Sequence, residues 1–273
     1  MKGASPASAC PPFPRVQGHR GCVYLEPENT LAGFQRSGDV GADAIELDVF
    51  LTADGELIVF HGGGSDGKAG GVEEPTSGSG NCQEMNLKEL MALEFKADAF
   101  SCPPERCVGQ RIPTLRQALE TCKRVNLSVT VELKGDGTEQ GSLSVVKELD
   151  MLQQVNFSSF DWSRLSEVLR LEPKAEVALL FGERVPEDFV QRALDIGGSQ
   201  VDLRYDIITD EMVSAAHAQG LKVMVWFRGP LTMDAAGQSD DQYFHRLLAL
   251  GVDTICTNRP DMLSQLRQQH HKL

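Results

Sequence analysis

Short runs of β-branched and other apolar residues alternate with amphipathic stretches along most of this 273-residue chain, and that alternation restricts the fold more than any other feature. Strand-like runs are RVQGH (15–19), DAIELDVF (43–50), ELIVFH (56–61), LSVTVEL (127–133), QQVNFSS (153–159), EVALLF (176–181), QVDLR (200–204), KVMVWF (222–227) and DTICT (253–257). Between most of them lie helix-like segments such as TLRQALETCKRV, WSRLSEVLRLE, PEDFVQRALDIG and DEMVSAAHAQG. Thr114, Asp161 or Ser163, and Thr209 stand where side chains would cap helix starts, and Gly197 and Gly220 where helices would end. Strands separated by helices have to run parallel, because only a crossover returns the chain to the same edge. Over this length the pattern predicts a closed (β/α)8 TIM barrel, with an open doubly wound sheet as the alternative.

Nine strand candidates are one too many for such a barrel. The pair Asp54-Gly55, between two apolar runs, is a hairpin signal that makes the third candidate an antiparallel return of the second. A two-residue turn there sets Asp48 opposite His61, and Glu46 shares a strand face with Asp48. From about 62 to 111 the alternation stops. HGGGSDGKAGGVEEPTSGSGNC is rich in glycine, serine and charge, and only LKELMALEF reads as a short helix. The expectation is one barrel domain over 15–273, with an insertion at about 62–111 after the second and third strand segments and a flexible lead-in over 1–14.

With 26 basic and 39 acidic residues the chain carries a formal charge of −13, which repels nucleic acid and anionic membranes. An acidic protein that handles a phosphate needs local cations. No apolar run is long enough to cross a bilayer, and the N-terminal MKGASPASACPPFP lacks the apolar stretch of a secretory signal, so a cytoplasmic location is expected. Seven cysteines at irregular spacing, with no CxxC pair, read as free thiols in a reducing compartment. Cys102 and Cys107 are close enough in sequence to pair within a loop.

In parallel barrels the active site lies at the C-terminal ends of the strands. Those ends carry His19 and Arg20, Glu46 and Asp48, His61, Glu132 and Lys134, and Trp226. Three carboxylates on otherwise apolar strands would repel one another unless a cation lay among them. A hard divalent ion resolves the conflict, and pairing with Arg20 or Lys134 is the alternative. His19 and His61 suit general acid–base work. Arg20 can grip a phosphate bidentately, and Lys134 adds a point charge. Trp226 serves as a pocket wall or as a core aromatic.

Taken together, HRG…PENT, GADAIELDVFLTADGELIVFH, VELK, SSFD, KVMVW and GVDTICTNRPDML, spanning residues 18 to 263, resemble the glycerophosphodiester phosphodiesterases. The resemblance implies a (β/α)8 barrel with an insertion after the second histidine. It implies one divalent ion, Mg²⁺ or Ca²⁺, held by Glu46, Asp48 and Glu132, with His19 and His61 as the acid–base pair. Arg20 and Lys134 would bind phosphate. The implied reaction is hydrolysis of a small glycerophosphodiester to glycerol 3-phosphate and an alcohol. Two departures stand out: family members usually follow the second histidine with aspartate, where this chain has Gly62, and the tryptophan here is followed by Phe227-Arg228-Gly229. The competing expectations are a phospholipase D-like cleavage of lysophospholipids on the same barrel, and a non-catalytic binding protein.

Overall fold

The computed structural model describes residues 13–63, 69–227 and 239–270. Most of the expected lead-in, together with Gly64 and Arg228-Gly229, lies outside them.

Nine strands form: β1 (Arg15–His19), β2 (Ala44–Leu51), β3 (Leu57–Val59), β4 (Ser128–Leu133), β5 (Val155–Ser159), β6 (Glu176–Leu180), β7 (Gln200–Arg204), β8 (Lys222–Trp226) and β9 (Thr254–Thr257). Each of the nine expected runs contains one of them. Eight pair in parallel, from β1 through β2, β4, β5, β6, β7, β8 and β9 and back to β1, so the barrel closes and the open-sheet alternative falls. The ninth, β3, is the antiparallel return on β2.

Helices α1 (Leu31–Asp39), α3 (Leu115–Arg124), α4 (Thr138–Glu148), α5 (Trp162–Leu171), α6 (Phe189–Ile196), α7 (Asp210–Ala218), α8 (Asp240–Leu250) and α9 (Pro260–His270) follow the strands; α2 (Leu87–Ala92) belongs to the insertion. Their starts are fixed locally. The Thr30 hydroxyl accepts from Gly33 N, Thr114 and Gln117 form a reciprocal capping box, and Asp161 and Thr209 cap α5 and α7.

Strand periodicity sorts the residues into two layers. Val16, Ile45, Leu47, Val129, Val131, Val177, Leu179, Val201, Val223 and Ile255 join the main apolar core, which includes the helices' buried faces. The alternate positions are largely polar: Gln17, Glu46, Asp48, Thr130, Glu132, Ser158, Gln200, Asp202 and Thr254 are all buried. Barrel interiors are ordinarily filled with branched aliphatic side chains. Here the apolar core lies between strands and helices, and the inner strand faces carry buried polar groups, of which Glu46, Glu132 and Ser158 line the cleft at the strand ends.

The hairpin register departs from expectation by one residue. Val49 pairs with Val59 and Phe50 with Ile58, and Phe60 N donates to Asp48 O at 3.0 Å. Asp48 therefore faces Phe60 and not His61. The cause is a turn one residue longer than assumed: Thr52 N donates to Glu56 O, leaving Ala53, Asp54 and Gly55 as the loop, with Gly55 in the left-handed region at φ +82°. The Asp54 carboxylate accepts from the Thr52 hydroxyl and from Leu87 N, which ties the turn to the insertion.

The insertion, where described, is packed. Phe50, Ile58 and Phe60 from the hairpin meet Val72, Cys82, Leu90 and Ile112 in a small second core. Among the described residues no helix is long and apolar enough to cross a membrane.

Candidate active site

A cleft of about 540 Å³ opens where the parallel strands end; His19, Arg20, Glu46, His61, Glu132, Lys134 and Trp226 all line it. Asp48 is fully buried and paired with Arg20 and Lys134 at the same end. All eight residues singled out from sequence thus gather at one end of the barrel.

β1 ends in a turn that re-aims the chain. Arg20 has φ +58°, its backbone N–H donates to Glu46 Oε2 at 3.1 Å, and its guanidinium Nε lies 3.2 Å from Asp48 Oδ2. Glu28 accepts from Arg20 Nη1 at 3.1 and 3.2 Å. Within PENT, Thr30 caps α1; Asn29, at φ +53°, turns inward and donates Nδ2 to Asp48 Oδ2 at 2.9 Å. On β4 and just beyond it, Lys134 Nζ stands 2.6 Å from Glu132 Oε1 and 3.3 Å from Asp48 Oδ1. The carboxylates therefore do pair with the two cations, as the alternative to a metal foresaw, but the pairing is incomplete. Ligand atoms of Glu46, Asp48 and Glu132 lie within 4.8 Å of one another, and buried Glu46 Oε1 accepts no hydrogen bond.

Electrostatics divides the three acids. Burial, reinforced by the charges of Asp48 and Glu132, pushes the Glu46 carboxyl well above the usual carboxylate range. Burial also raises Glu132, against the pull of Lys134. Burial acts on Asp48 too, but Lys134 and Arg20 outweigh it and hold this carboxyl far below its ordinary value. A set of oxygen donors at this spacing, one of them unsatisfied and the group short of positive charge, fits a hard divalent cation.

The two imidazoles are set from behind. His19 Nδ1 faces Asn258 Oδ1 at 2.8 Å, and His61 Nδ1 faces the Gly62 carbonyl at 2.7 Å. Both partners are acceptors, so Nδ1 carries the proton in each ring and Nε2 is left for chemistry. Burial, with Arg20 next, lowers His19 to about 3; burial likewise lowers His61. In the substrate-free site both rings therefore favour the neutral form.

The Gly62 departure has a steric origin. Gly62 sits at φ +62°, and a Cβ there would come within 2.3 Å of the Gly71 carbonyl oxygen and 2.4 Å of the Phe60 ring. The insertion folds back on this point: Gly70 N donates to His61 O and Gly63 N to Gly71 O. A carboxylate after His61 has no room, and the Gly62 carbonyl takes over the orienting role. Gly62→Ala is expected to cost about 2 kcal/mol or more and lower the melting temperature by roughly 4–8 °C, as differential scanning calorimetry would show. An unchanged melting temperature would remove the packing explanation.

Sequence reasoning missed Asn258, Glu28 and Asn29 as orienting groups, because each acts on a residue distant in sequence. It also missed Phe160, 48% exposed, whose ring meets Trp226 edge-on at 5.8 Å and lies 5.8 Å from Lys134 Nζ. Arg204, at the end of β7, lines the same wall while paired with Glu183 and Asp206.

Comparison with known proteins gives a consistent picture. A model of the glycerophosphoryl diester phosphodiesterase family matches residues 19–262. A glycerophosphodiester phosphodiesterase of Caldanaerobacter subterraneus subsp. tengcongensis is 32% identical over 256 residues, covering 92% of this chain and 96% of that one. One from Bacillus altitudinis is 29% identical, covering 93% and 98%. Among solved structures, a Galdieria sulphuraria protein assigned as a glycerophosphodiester phosphodiesterase superposes with a TM-score of 0.82 at 28% identity, covering 95% of this chain and all of that one. An Oleispira antarctica phosphodiesterase, in complex with its product sn-glycerol-3-phosphate, shares the fold with a TM-score of 0.77 at 24% identity, covering 94% and 97%.

Proposed function

The chain belongs to the glycerophosphoryl diester phosphodiesterase family, and on that premise we propose that it releases glycerol 3-phosphate and a free alcohol by metal-dependent, histidine-assisted hydrolysis. The observation that carries the reading is the set gathered in the cleft: two imidazoles whose Nδ1 atoms are engaged and whose Nε2 atoms make no hydrogen bond, beside an acidic triad and two half-buried cations. The product held by the Oleispira antarctica relative supports glycerol 3-phosphate as the product here.

Glu46, Asp48 and Glu132 would hold one Mg²⁺ or Ca²⁺, which when bound supplies positive charge to the phosphoryl oxygens. Arg20 and Lys134 bind and orient the phosphate; their pairing with Asp48 and Glu132 fixes where their positive charge sits. One imidazole, neutral, takes the proton from a neighbouring glycerol hydroxyl as that oxygen attacks phosphorus; the other enters as the imidazolium, a form the negative charge of the bound phosphodiester favours, and gives its Nε2 proton to the departing alcohol oxygen. Water then opens the cyclic phosphate with the two roles exchanged. Trp226 and Phe160 wall the side of the cleft that receives the alcohol.

Phosphorus NMR tests the reading directly. With glycerophosphocholine and divalent metal, the diester signal is expected to give way to glycerol 3-phosphate, with choline free in solution. Accumulation of phosphocholine would overturn it by placing the cut on the glycerol side of phosphorus, and turnover of lysophosphatidylcholine alone to a persisting cyclic phosphate would overturn it in favour of the phospholipase D-like alternative.

A further inference from the structure

Away from the cleft, two thiols face each other within the insertion. Cys102 Sγ and Cys107 Sγ are 4.0 Å apart, and the two residues are only 4% and 3% exposed, whereas residues 103–106 between them are exposed. Two successive prolines shape the turn. Pro103 holds φ −55°, Arg106 N donates back to Pro103 O at 2.9 Å, and the 3-10 turn Pro104–Cys107 brings Cys107 back beside Cys102. The rigid turn does the work of loop closure before any bond forms.

The other described cysteines, Cys22, Cys82, Cys122 and Cys256, are buried, and no hydrogen bond links any two of their sulfurs. A metal does not explain the pair: among the described residues the acidic triad is the one cluster of three or more candidate ligands, and it contains neither sulfur.

We propose that Cys102 and Cys107 are a redox-modification site, closing to an intrachain disulfide when the protein meets a low-molecular-weight disulfide such as oxidised glutathione. The Cys107 or Cys102 thiolate attacks one sulfur of the oxidant, whose S–S bond breaks and releases one thiol. The second cysteine attacks the mixed disulfide and releases the other. Two cysteine protons and two electrons leave the protein, and the oxidant ends as two thiols. Burial pushes the Cys102 thiol up to about 12 and raises Cys107, so exchange is slow near neutrality and quickens in alkali.

The consequence reaches the catalytic face. Arg106 lies inside the closed ring, and its Nη1 donates at 3.3 Å to the buried carboxylate of Glu26, which Arg36 also pairs. Glu26 stands just before Glu28 and Asn29, which hold Arg20 and Asp48. The disulfide would staple shut the turn that holds Arg106 against Glu26, in the loop behind the site.

The test uses the full chain and needs no activity assay, so it stands apart from the proposed reaction. The protein is incubated with oxidised glutathione at pH 8.5, unfolded without reductant, alkylated and digested with trypsin. Cleavage after Lys96, Arg106 and Arg111 separates the two cysteines. Peptides 97–106 and 107–111 are expected to run as one species, unalkylated, that splits on reduction. Alkylation of both peptides, a persistent glutathione adduct, or linkage of either to another cysteine, Cys10 included, would overturn the proposal. Cys102→Ser should leave Cys107 alkylated, and Cys10→Ser should leave the linkage intact. Oxidation is also expected to raise the melting temperature by about 4–8 °C in the wild type and not in Cys102→Ser. An unchanged melting temperature in the linked protein would refute the staple.

Discussion

His61→Ala is expected to lower kcat/KM for glycerophosphocholine by roughly 10²–10⁴-fold while moving the melting temperature by only a few degrees. His61 lies past the end of β3, lines the open cleft, and is anchored through Nδ1 to its neighbour's carbonyl. Removing the ring leaves the hairpin register and the second core untouched. His19→Ala should cost as much activity, with a different stability signature. Its imidazole titrates near 6.5 when unfolded and at about 3 when folded, because burial disfavours the charged form. The unfolded chain therefore binds the proton more readily, so wild-type stability is lost as pH falls from about 6.5 toward 3, and His19→Ala should lose less over that window. Steady-state kinetics with calorimetry at pH 7 and pH 5 checks both variants. Retention of more than a tenth of wild-type kcat/KM by either one would remove that histidine from the acid–base pair.

The barrel was legible in sequence because its two signals are local. Period-two strands and capped helices depend on residues a few positions apart, and each of the nine expected runs contains a strand. Asp54-Gly55 identified the return strand for the same reason. Its register was not legible, since Thr52 and Asp54 lengthen the turn through side-chain bonds, one of them to Leu87 in the insertion. Gly62 is the sharper case. Seen in sequence it looks like the loss of a carboxylate partner for His61. In three dimensions Gly71, nine positions later, occupies the space a side chain would need, and the Gly62 carbonyl bonds Nδ1. Likewise Asn258 reads as an ordinary loop residue after β9 until closure of the barrel sets it against His19, 239 positions away. What sequence hid was contact between distant segments; what it displayed was residue type at strand ends.

Removal of divalent metal is expected to abolish activity, and millimolar Mg²⁺ or Ca²⁺ to restore it. The three carboxylates of the triad stand against two fixed cations, Arg20 and Lys134, so the group carries an excess negative charge if all are ionised. Glu46 bears most of that strain: it is fully surrounded, has Asp48 and Glu132 as like-charged neighbours, and keeps one oxygen without a donor. Without metal a proton on Glu46 eases the conflict; a divalent ion held by Glu46, Asp48 and Glu132 would displace that proton and supply the missing positive charge. Binding to the folded chain alone stabilises it by about 2.7 kcal/mol at a hundred times Kd, so calorimetry should show a melting temperature several degrees higher with metal than with chelator. Glu46→Gln separates charge from ligation. It removes like-charge repulsion from the metal-free protein, which should melt no lower than the metal-free wild type. It also weakens the site, so the metal-dependent shift should shrink and activity should fall at least tenfold. If the chelated wild type keeps its activity, or if Glu46→Gln melts well below the metal-free wild type, the triad is a structural charge cluster already satisfied by Arg20 and Lys134, and metal has no part in the chemistry.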